Sequence, residues 1–319
     1  MMEQKQTDSK NAHFCAYTAR QAFRRNALFV CCLFFIFFTR TFFCYAQTND
    51  LSPVWKITDP KSGNIVYIGG SMHVMRKGDA AYLPPFDSAF SDAGILVFET
   101  DANELNNSET QKYLLKNMFL PDEKTLGDVL SSKAVEHIQN LCKEQGVPFA
   151  YVNRLKPALA MSMFEVMSIK NEGFLEKGVD ARYAERAAAE NKKIAYLESI
   201  ESQIDLLLNM GAGYEDEYVL YSVDDMKNAA SDLDEITEAW RSGKPDSMEK
   251  QLAELQEATP AVYDDLLKKR NDAWMPQILQ YFTTGEKEFV IVGLLHLYGV
   301  DGLITQLKNA GFSVEQLRR

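Results

Sequence analysis

The sequence predicts an α/β (α+β) fold. It reads as a central mixed β-sheet flanked by helices, two related halves that each carry a strand and a Gly-x-x-His motif, and a helical insertion. Three observations carry that reading. The run Ile65-Val-Tyr-Ile68 leads into Gly70-Ser-Met-His73, and near the other end Phe289-Val-Ile-Val292 leads into Gly293-Leu-Leu-His296. Two further apolar runs, Ile95-Leu-Val-Phe98 and Lys193-Ile-Ala-Tyr-Leu197, finish on Glu99 and Glu198. Between the runs, apolar residues recur at helical spacing. Short runs of β-branched and aromatic residues closed by Gly read as strands buried on both faces. Ligands of open α/β sheets sit beyond the carboxyl ends of the strands. Strands that end on His73, Glu99, Glu198 and His296 therefore point to one reactive edge.

Taken in order, residues 1–46 stand apart. Arg20, Arg24 and Arg25 precede an apolar segment at 27–38, and Cys44-Tyr45-Ala46 offers small residues at alternate positions. This is a secretory signal pattern with cleavage expected after Ala46. The expected location is exported, periplasmic or extracellular, with no stable membrane span after cleavage. The run is short for a span and Arg40 interrupts it, which leaves an uncleaved anchor as the lesser alternative. Residues 47–319 read as a single domain. Strand-like runs at 55–58 and 64–68 flank the turn-rich Asp59-Pro-Lys-Ser-Gly63, a β-hairpin feeding the first Gly-x-x-His. A short helix or turn is expected at 84–93, and amphipathic helices at 102–119 and 131–146, the second stopped by Gly146. Helix resumes from Asn153 with a stripe of Met161, Met163 and Met167, a core-packing pattern. Gly178-Val-Asp180 opens an Ala-rich helix. Residues 200–283 read as helices at about 200–210, 215–242, 247–257 and 260–283, a lid or an insertion on the sheet. A capped helix at 301–310 and an edge strand at 312–317 close the chain.

Composition narrows the function. The whole chain carries −11. Residues 1–46 hold six basic residues against Glu3 and Asp8, so the remainder is more acidic still, about −15. That charge argues against nucleic acid or an anionic membrane surface as partner. It assigns no oligomeric state. Four of the five Cys fall in residues 1–46. Cys142 alone remains, so there is neither a disulfide framework nor a cysteine zinc site, and with Val135, Ile138 and Leu141 it reads as core. Beyond residue 46 only His73, His137 and His296 occur. His137 falls off the apolar face of its helix and reads as exposed.

Two imidazoles and a carboxylate are the smallest common set that holds a divalent metal with room for water and substrate. Such an ion lowers the pKa of bound water and polarises a carbonyl, which suits amide or ester hydrolysis. No His-Glu-x-x-His helix and no Gly-x-Ser-x-Gly elbow is present. A second clue is Arg270-Asn271, which falls within or beside the helical stripe Leu266, Leu267, Trp274 and Ile278. A guanidinium aimed at a core needs an anion, and Glu99, Glu198 or a substrate oxyanion is available.

The ordered set Trp55-Lys-Ile, Gly70-Ser-Met-His73, Phe98-Glu99, Lys156-Pro157, Gly178-Val-Asp180, Leu197-Glu198, Arg270-Asn271 and Gly293-Leu-Leu-His296-Leu-Tyr-Gly resembles the TraB/GumN family, which includes the Tiki metalloproteases. The likeness spans roughly residues 52–317. It implies an α/β fold with two related halves, each with one Gly-x-x-His. In the Tiki branch these motifs and a Glu accompany a metal-dependent peptidase activity supported by manganese or cobalt. Carried over residue by residue, the resemblance implies His73, His296 and Glu99 around a manganese or cobalt ion, with zinc a third candidate. Glu99, Arg270 and Asn271 become the candidate catalytic groups, with Gly70, Asp180, Glu198 and Gly293 touching substrate or supporting the ligands. A peptide or protein is the implied substrate of an exported hydrolase. Other branches imply a non-catalytic peptide-, haem- or metal-binding protein, or an accessory protein in cell-envelope polysaccharide production.

Overall fold

The computed structural model describes residues 51–78 and 84–319. The expected signal segment at 1–46 lies outside them. Among the described residues no helix is long and apolar enough to cross a membrane.

In chain order, β1 (Leu51–Thr58) and β2 (Ile65–Ser71) form the expected antiparallel hairpin. Its turn is closed by Asp59, whose carboxylate accepts the N–H groups of Lys61 and Ser62. Next come β3 (Val74–Arg76), α1 (Pro84–Asp92), β4 (Ile95–Phe98) and α2 (Ser108–Asn117). They are followed by α3 (Leu126–Val129), α4 (Ser132–Gln145), α5 (Phe149–Val152), α6 (Pro157–Asn171) and β5 (Phe174–Lys177). The middle of the chain gives α7 (Val179–Ala189), β6 (Lys193–Tyr196), α8 (Ile200–Asn209), α9 (Glu215–Asp225), α10 (Ala229–Ser242) and α11 (Asp246–Ala258). The last elements are α12 (Pro260–Tyr263), a π-helical turn at Asp264–Lys268, α13 (Lys269–Tyr281), β7 (Glu288–Gly293), α14 (Leu303–Asn309) and β8 (Ser313–Arg318).

The fold is the predicted mixed α/β arrangement. The main sheet has the order β6-β4-β7-β2-β1-β8. Its four strands β6, β4, β7 and β2 pair in parallel, while β1 runs antiparallel to both β2 and β8. The two Gly-x-x-His strands are thus immediate neighbours, with Gly70 opposite Val292 and Ser71 opposite Gly293. Every residue of β7 is buried. Phe289 and Ile291 pack on one face with Phe86, Phe90 and Trp240, whereas Val290 and Val292 pack on the other with Trp274 and Ile278. Each such side chain contributes about 1.5–3 kcal/mol of burial, which pins the register because a one-residue slip would exchange the faces.

Several boundaries differ from the sequence expectation. The helix expected at 102–119 is a 3-10 turn, Ala102–Asn106, followed by α2, because the Asn107 side chain caps a new start by accepting Glu109 N–H. The helix expected at 215–242 breaks between Asp225 and Ala229 into α9 and α10. A two-stranded ribbon, β3 with β5, has no counterpart in the sequence reading, since three and four residues are too few to show a period. His137 is half-buried rather than exposed, because α9 packs against α4. Cys142 is free and buried in the helical core, as expected. The block 200–283 is an insertion fastened to the sheet: Trp240 is 2% exposed and its indole N–H donates to Gly70 O at 2.8 Å.

Candidate active site

Parallel pairing fixes where the strands end. β2, β7, β4 and β6 all deliver their carboxyl ends to one edge, and His73, Gly293 to His296, Glu99 and Glu198 follow directly. The parallel register continues past β4 and β6, where Leu197 N–H donates to Phe98 O and Glu198 N–H to Glu99 O. Arg270 and Asn271 enter from the first turn of α13, immediately after the π-helical turn, a local widening that often accompanies functional sites.

Glu99 is the hub. Its Oε1 accepts the Gly293 N–H at 2.6 Å and lies 3.9 Å from His73 Nε2. Its Oε2 accepts from Arg270 Nη2 at 2.5 Å and from Gln203 Nε2 at 3.3 Å. Glu198 takes the same guanidinium side-on, from Nη2 at 2.7 Å and Nε at 3.2 Å. The Arg270 side chain is only 12% exposed, so its two carboxylates are what make its charge tolerable there. Burial opposes the Glu99 charge, but the imidazoles, the Arg270 guanidinium and the Gly293 N–H that face it hold its pKa down at about 2. Burial likewise opposes the charge on Arg270, and Glu99 with Glu198 raises its pKa above the ordinary value.

The two histidines differ. His296 is buried, with Nδ1 2.7 Å from Asn271 Oδ1 and Nε2 3.0 Å from Arg270 Nη1. Asn271 Nδ2 donates to His296 O and Asp301 O, which leaves its Oδ1 as the acceptor. The ring is therefore neutral with its proton on Nδ1. Burial, with the positive charges of Arg270 and His73, lowers its pKa to about 3. His73 is 60% exposed and its Nδ1 lies 3.2 Å from Asp180 Oδ2. Desolvation pulls its pKa down, but the Asp180 hydrogen bond and the Glu99 charge prevail and raise it to about 9.

Two glycines set these distances. A Cβ on Gly293 would stand 3.2 Å from His73 Nε2, 3.3 Å from Glu99 Oε1 and 3.6 Å from His296 Cδ2, so all three groups stand around one space that a side chain here would crowd. A Cβ on Gly178 would fall 2.0 Å from Met72 O and 2.4 Å from His73 C. Gly178 thus lets α7 start against the His73 backbone, with Val179 N–H donating to Met72 O, and brings Asp180 to the imidazole. Gly70 has a different place. Its would-be Cβ meets Leu294 Cδ1 at 2.4 Å, so it is a packing position beneath the second motif.

The structure therefore brings together His73, Glu99, Asp180, Glu198, Arg270, Asn271, Gly293 and His296, and sets Gly70 behind them. Gln203 joins them through Glu99. No sequence signal marked it, since a lone Gln on an amphipathic helix looks like a solvated residue.

Whether the set suits a divalent metal is a question of donors. In kind they fit. Each ring is tied at Nδ1 to a carboxylate or an amide, which is how ligating imidazoles are oriented, and Oε1 of Glu99 lies beside them. In placement the guanidinium stands on the His296 lone pair, and among the described residues no group of three or more His, Cys, Asp or Glu is arranged to hold an ion. An ion and Arg270 cannot share Nε2.

Fold and site together define an α/β protein with a charged centre assembled at the carboxyl edge of four parallel strands. The family model for the TraB/PrgY/gumN family matches residues 53–316, and the chain belongs to that family. Comparison with curated proteins finds no match.

Proposed function

We propose that the protein is an exported hydrolase of peptide bonds that works with a divalent cation, manganese, cobalt or zinc, taken up by His73, His296 and Glu99. One observation carries the reading. Two imidazoles tied back at Nδ1 and one ionised carboxylate stand around the space beside Gly293, His73 with its Nε2, Glu99 with its Oε1 and His296 with its Cδ2, the His296 Nε2 being held by Arg270. Charge supports it as well. Glu99, Glu198 and Asp180 outnumber Arg270 and the protonated His73 by one negative charge, and an ion that displaces the His73 proton would meet an excess of two. Bound there, the cation supplies Lewis-acid polarisation of a carbonyl and acidifies a water. The chain's own groups do the rest. Asp180 and Asn271 fix the ring orientations. Glu99 is the carboxylate of the set, as ligand or as general base. Glu198 holds Arg270, whose guanidinium would have to turn off His296 Nε2 before an ion binds there and whose charge would then favour a developing oxyanion. Export is supported by the basic, apolar and small-residue order of residues 20–46.

The test is to strip the purified protein of metal, refill it with manganese, cobalt or zinc, and assay it on a peptide library. Cleavage should need the ion and disappear in His73→Ala and His296→Ala. Cleavage by neither form, with stoichiometric peptide binding instead, would replace this reading with a capture protein.

A further inference from the structure

A cavity of about 390 Å³ opens in the helical block, among α6, α9, α10 and α11. Its walls reach the site described above at two points. Leu266 lines the cavity, and its carbonyl accepts from Arg270 Nη1 at 3.2 Å; Leu295 lines it too, one residue before His296. Leu266 and Leu295 thus belong to a wall that the cavity and the site share.

The lining has a definite chemistry. Leu233, Ile236, Leu252, Leu255 and Val262 give it apolar walls. Five carboxylates, Glu165, Asp225, Asp232, Glu235 and Glu254, stand against the single ammonium of Lys250. Lys250 is spent at the mouth, 3.6 Å from Glu254, with both side chains well exposed. Glu165 and Asp232 are half-buried, Asp225 lies nearer solvent, and none of the three forms an ion pair among the described residues. Their surroundings raise all three pKa values. Burial raises Glu165, with a Ser222 hydrogen bond opposing and Asp225 adding repulsion; burial raises Asp225, with Asp232 adding to it and a Tyr221 hydrogen bond opposing; burial raises Asp232, with Glu235 and Glu254 adding to it and Lys250 opposing. Independently of the acids, the Gln251 side-chain nitrogen is buried in this lining and has no hydrogen-bond partner among the described residues. It is a donor that wants a carbonyl.

We infer that this cavity is a specificity subsite for a basic side chain, Lys or Arg, of a peptide substrate. The apolar walls take the alkyl stem, Glu165 and Asp232 take the cationic head, and Gln251 donates to a peptide carbonyl. An alkylammonium or guanidinium needs only loosely convergent carboxylates, unlike a bare ion that needs several oxygens at about 2.3–2.6 Å. Its volume is that of a small-molecule pocket. The choice of a peptide rests on the hydrolase reading; the choice of a cation does not.

The experiment is isothermal titration of the purified, metal-free protein with capped pentapeptides that differ at one position, Lys, norleucine or Glu. The Lys peptide should bind at least about tenfold more tightly than its uncharged norleucine isostere, as a charge-assisted hydrogen bond is worth. Glu should bind worst. The double variant Glu165→Gln, Asp232→Asn should erase the Lys preference while melting at or above the wild-type temperature, and His73→Ala should keep it. Equal affinity for Lys and norleucine, a preference that survives the double variant, or free hexylamine binding as tightly as the Lys peptide would each overturn the inference. Cleavage assays on the same peptides separate the two readings. Lys-selective binding without cleavage leaves the subsite and removes the hydrolase; cleavage without Lys selectivity does the reverse.

Discussion

At the scale of single residues, the site is an exercise in making buried charge tolerable. Arg270 is shared by Glu99 and Glu198 at 2.5 and 2.7 Å, and removing it strands two carboxylates. Arg270→Met should therefore cost about 3–5 kcal/mol in urea unfolding, the price of an uncompensated buried charge. Loss under about 1 kcal/mol would mean that the carboxylates are solvated in solution. Gly293 tests the open space rather than the charges. Its backbone lies at φ −53 and ψ 138, which any residue adopts, so Gly293→Ala should fold normally. The new methyl, at 3.2 Å from His73 Nε2 and 3.3 Å from Glu99 Oε1, should cut peptide cleavage by about tenfold or more, since small misplacements near reacting groups are costly. Unchanged kinetics would place the reaction elsewhere. These residues were legible in the sequence because each is a reactive type ending an apolar run or breaking an apolar stripe. What could not be read was partnership: nothing in the spacing says that Asn271 holds His296, or that Gln203 reaches Glu99.

At the scale of elements, position depends on two close approaches and a π-helical turn. Gly178 permits α7 to begin against the backbone of His73, so Gly178→Ala forces main chain against main chain. It should destabilise by about 1–3 kcal/mol, the range for overpacking, and free Asp180 from His73. The His73 titration, followed by NMR, should then fall from about 9 toward its ordinary 6.5. A titration that stays near 9 would mean that Glu99 alone sustains it. In the helical block, Glu165 makes a pH-dependent contribution. Its pKa is raised, so the folded chain holds the proton to higher pH than the unfolded chain does. The stability it gives is full below the ordinary 4.5 and is lost as pH rises through the raised value. Glu165→Gln should melt above wild type at pH 7 and level with it near pH 4; a lower melting temperature at pH 7 would contradict this. The elements themselves were mostly visible as periodicity and caps. The ribbon of β3 and β5 was not, and the break between α9 and α10 carries no Pro or Gly to announce it.

At the scale of the whole molecule, the sheet order does the assembling. β4 lies between β6 and β7, and β7 beside β2, so residues 73, 99, 198 and 296 meet although more than two hundred positions separate the first from the last. The sequence showed four strands with reactive ends; it did not show their order, because pairing of β7 with β2 and β4 is long-range and leaves no local trace. It also left the helical block as either lid or insertion, where the indole of Trp240 on Gly70 O fixes it to the sheet. The central claim is that the two Gly-x-x-His histidines serve one hydrolytic site. It is tested most directly by a double-mutant cycle on metal-refilled protein, with kcat/KM for a cleaved peptide measured in wild type, His73→Ala, His296→Ala and the double variant. Groups that act as a unit are grossly non-additive. The account predicts that each single change costs about a hundredfold or more and that the double variant is no worse than either. Losses that simply multiply, or a cleavage rate untouched by one of the two changes, would contradict it.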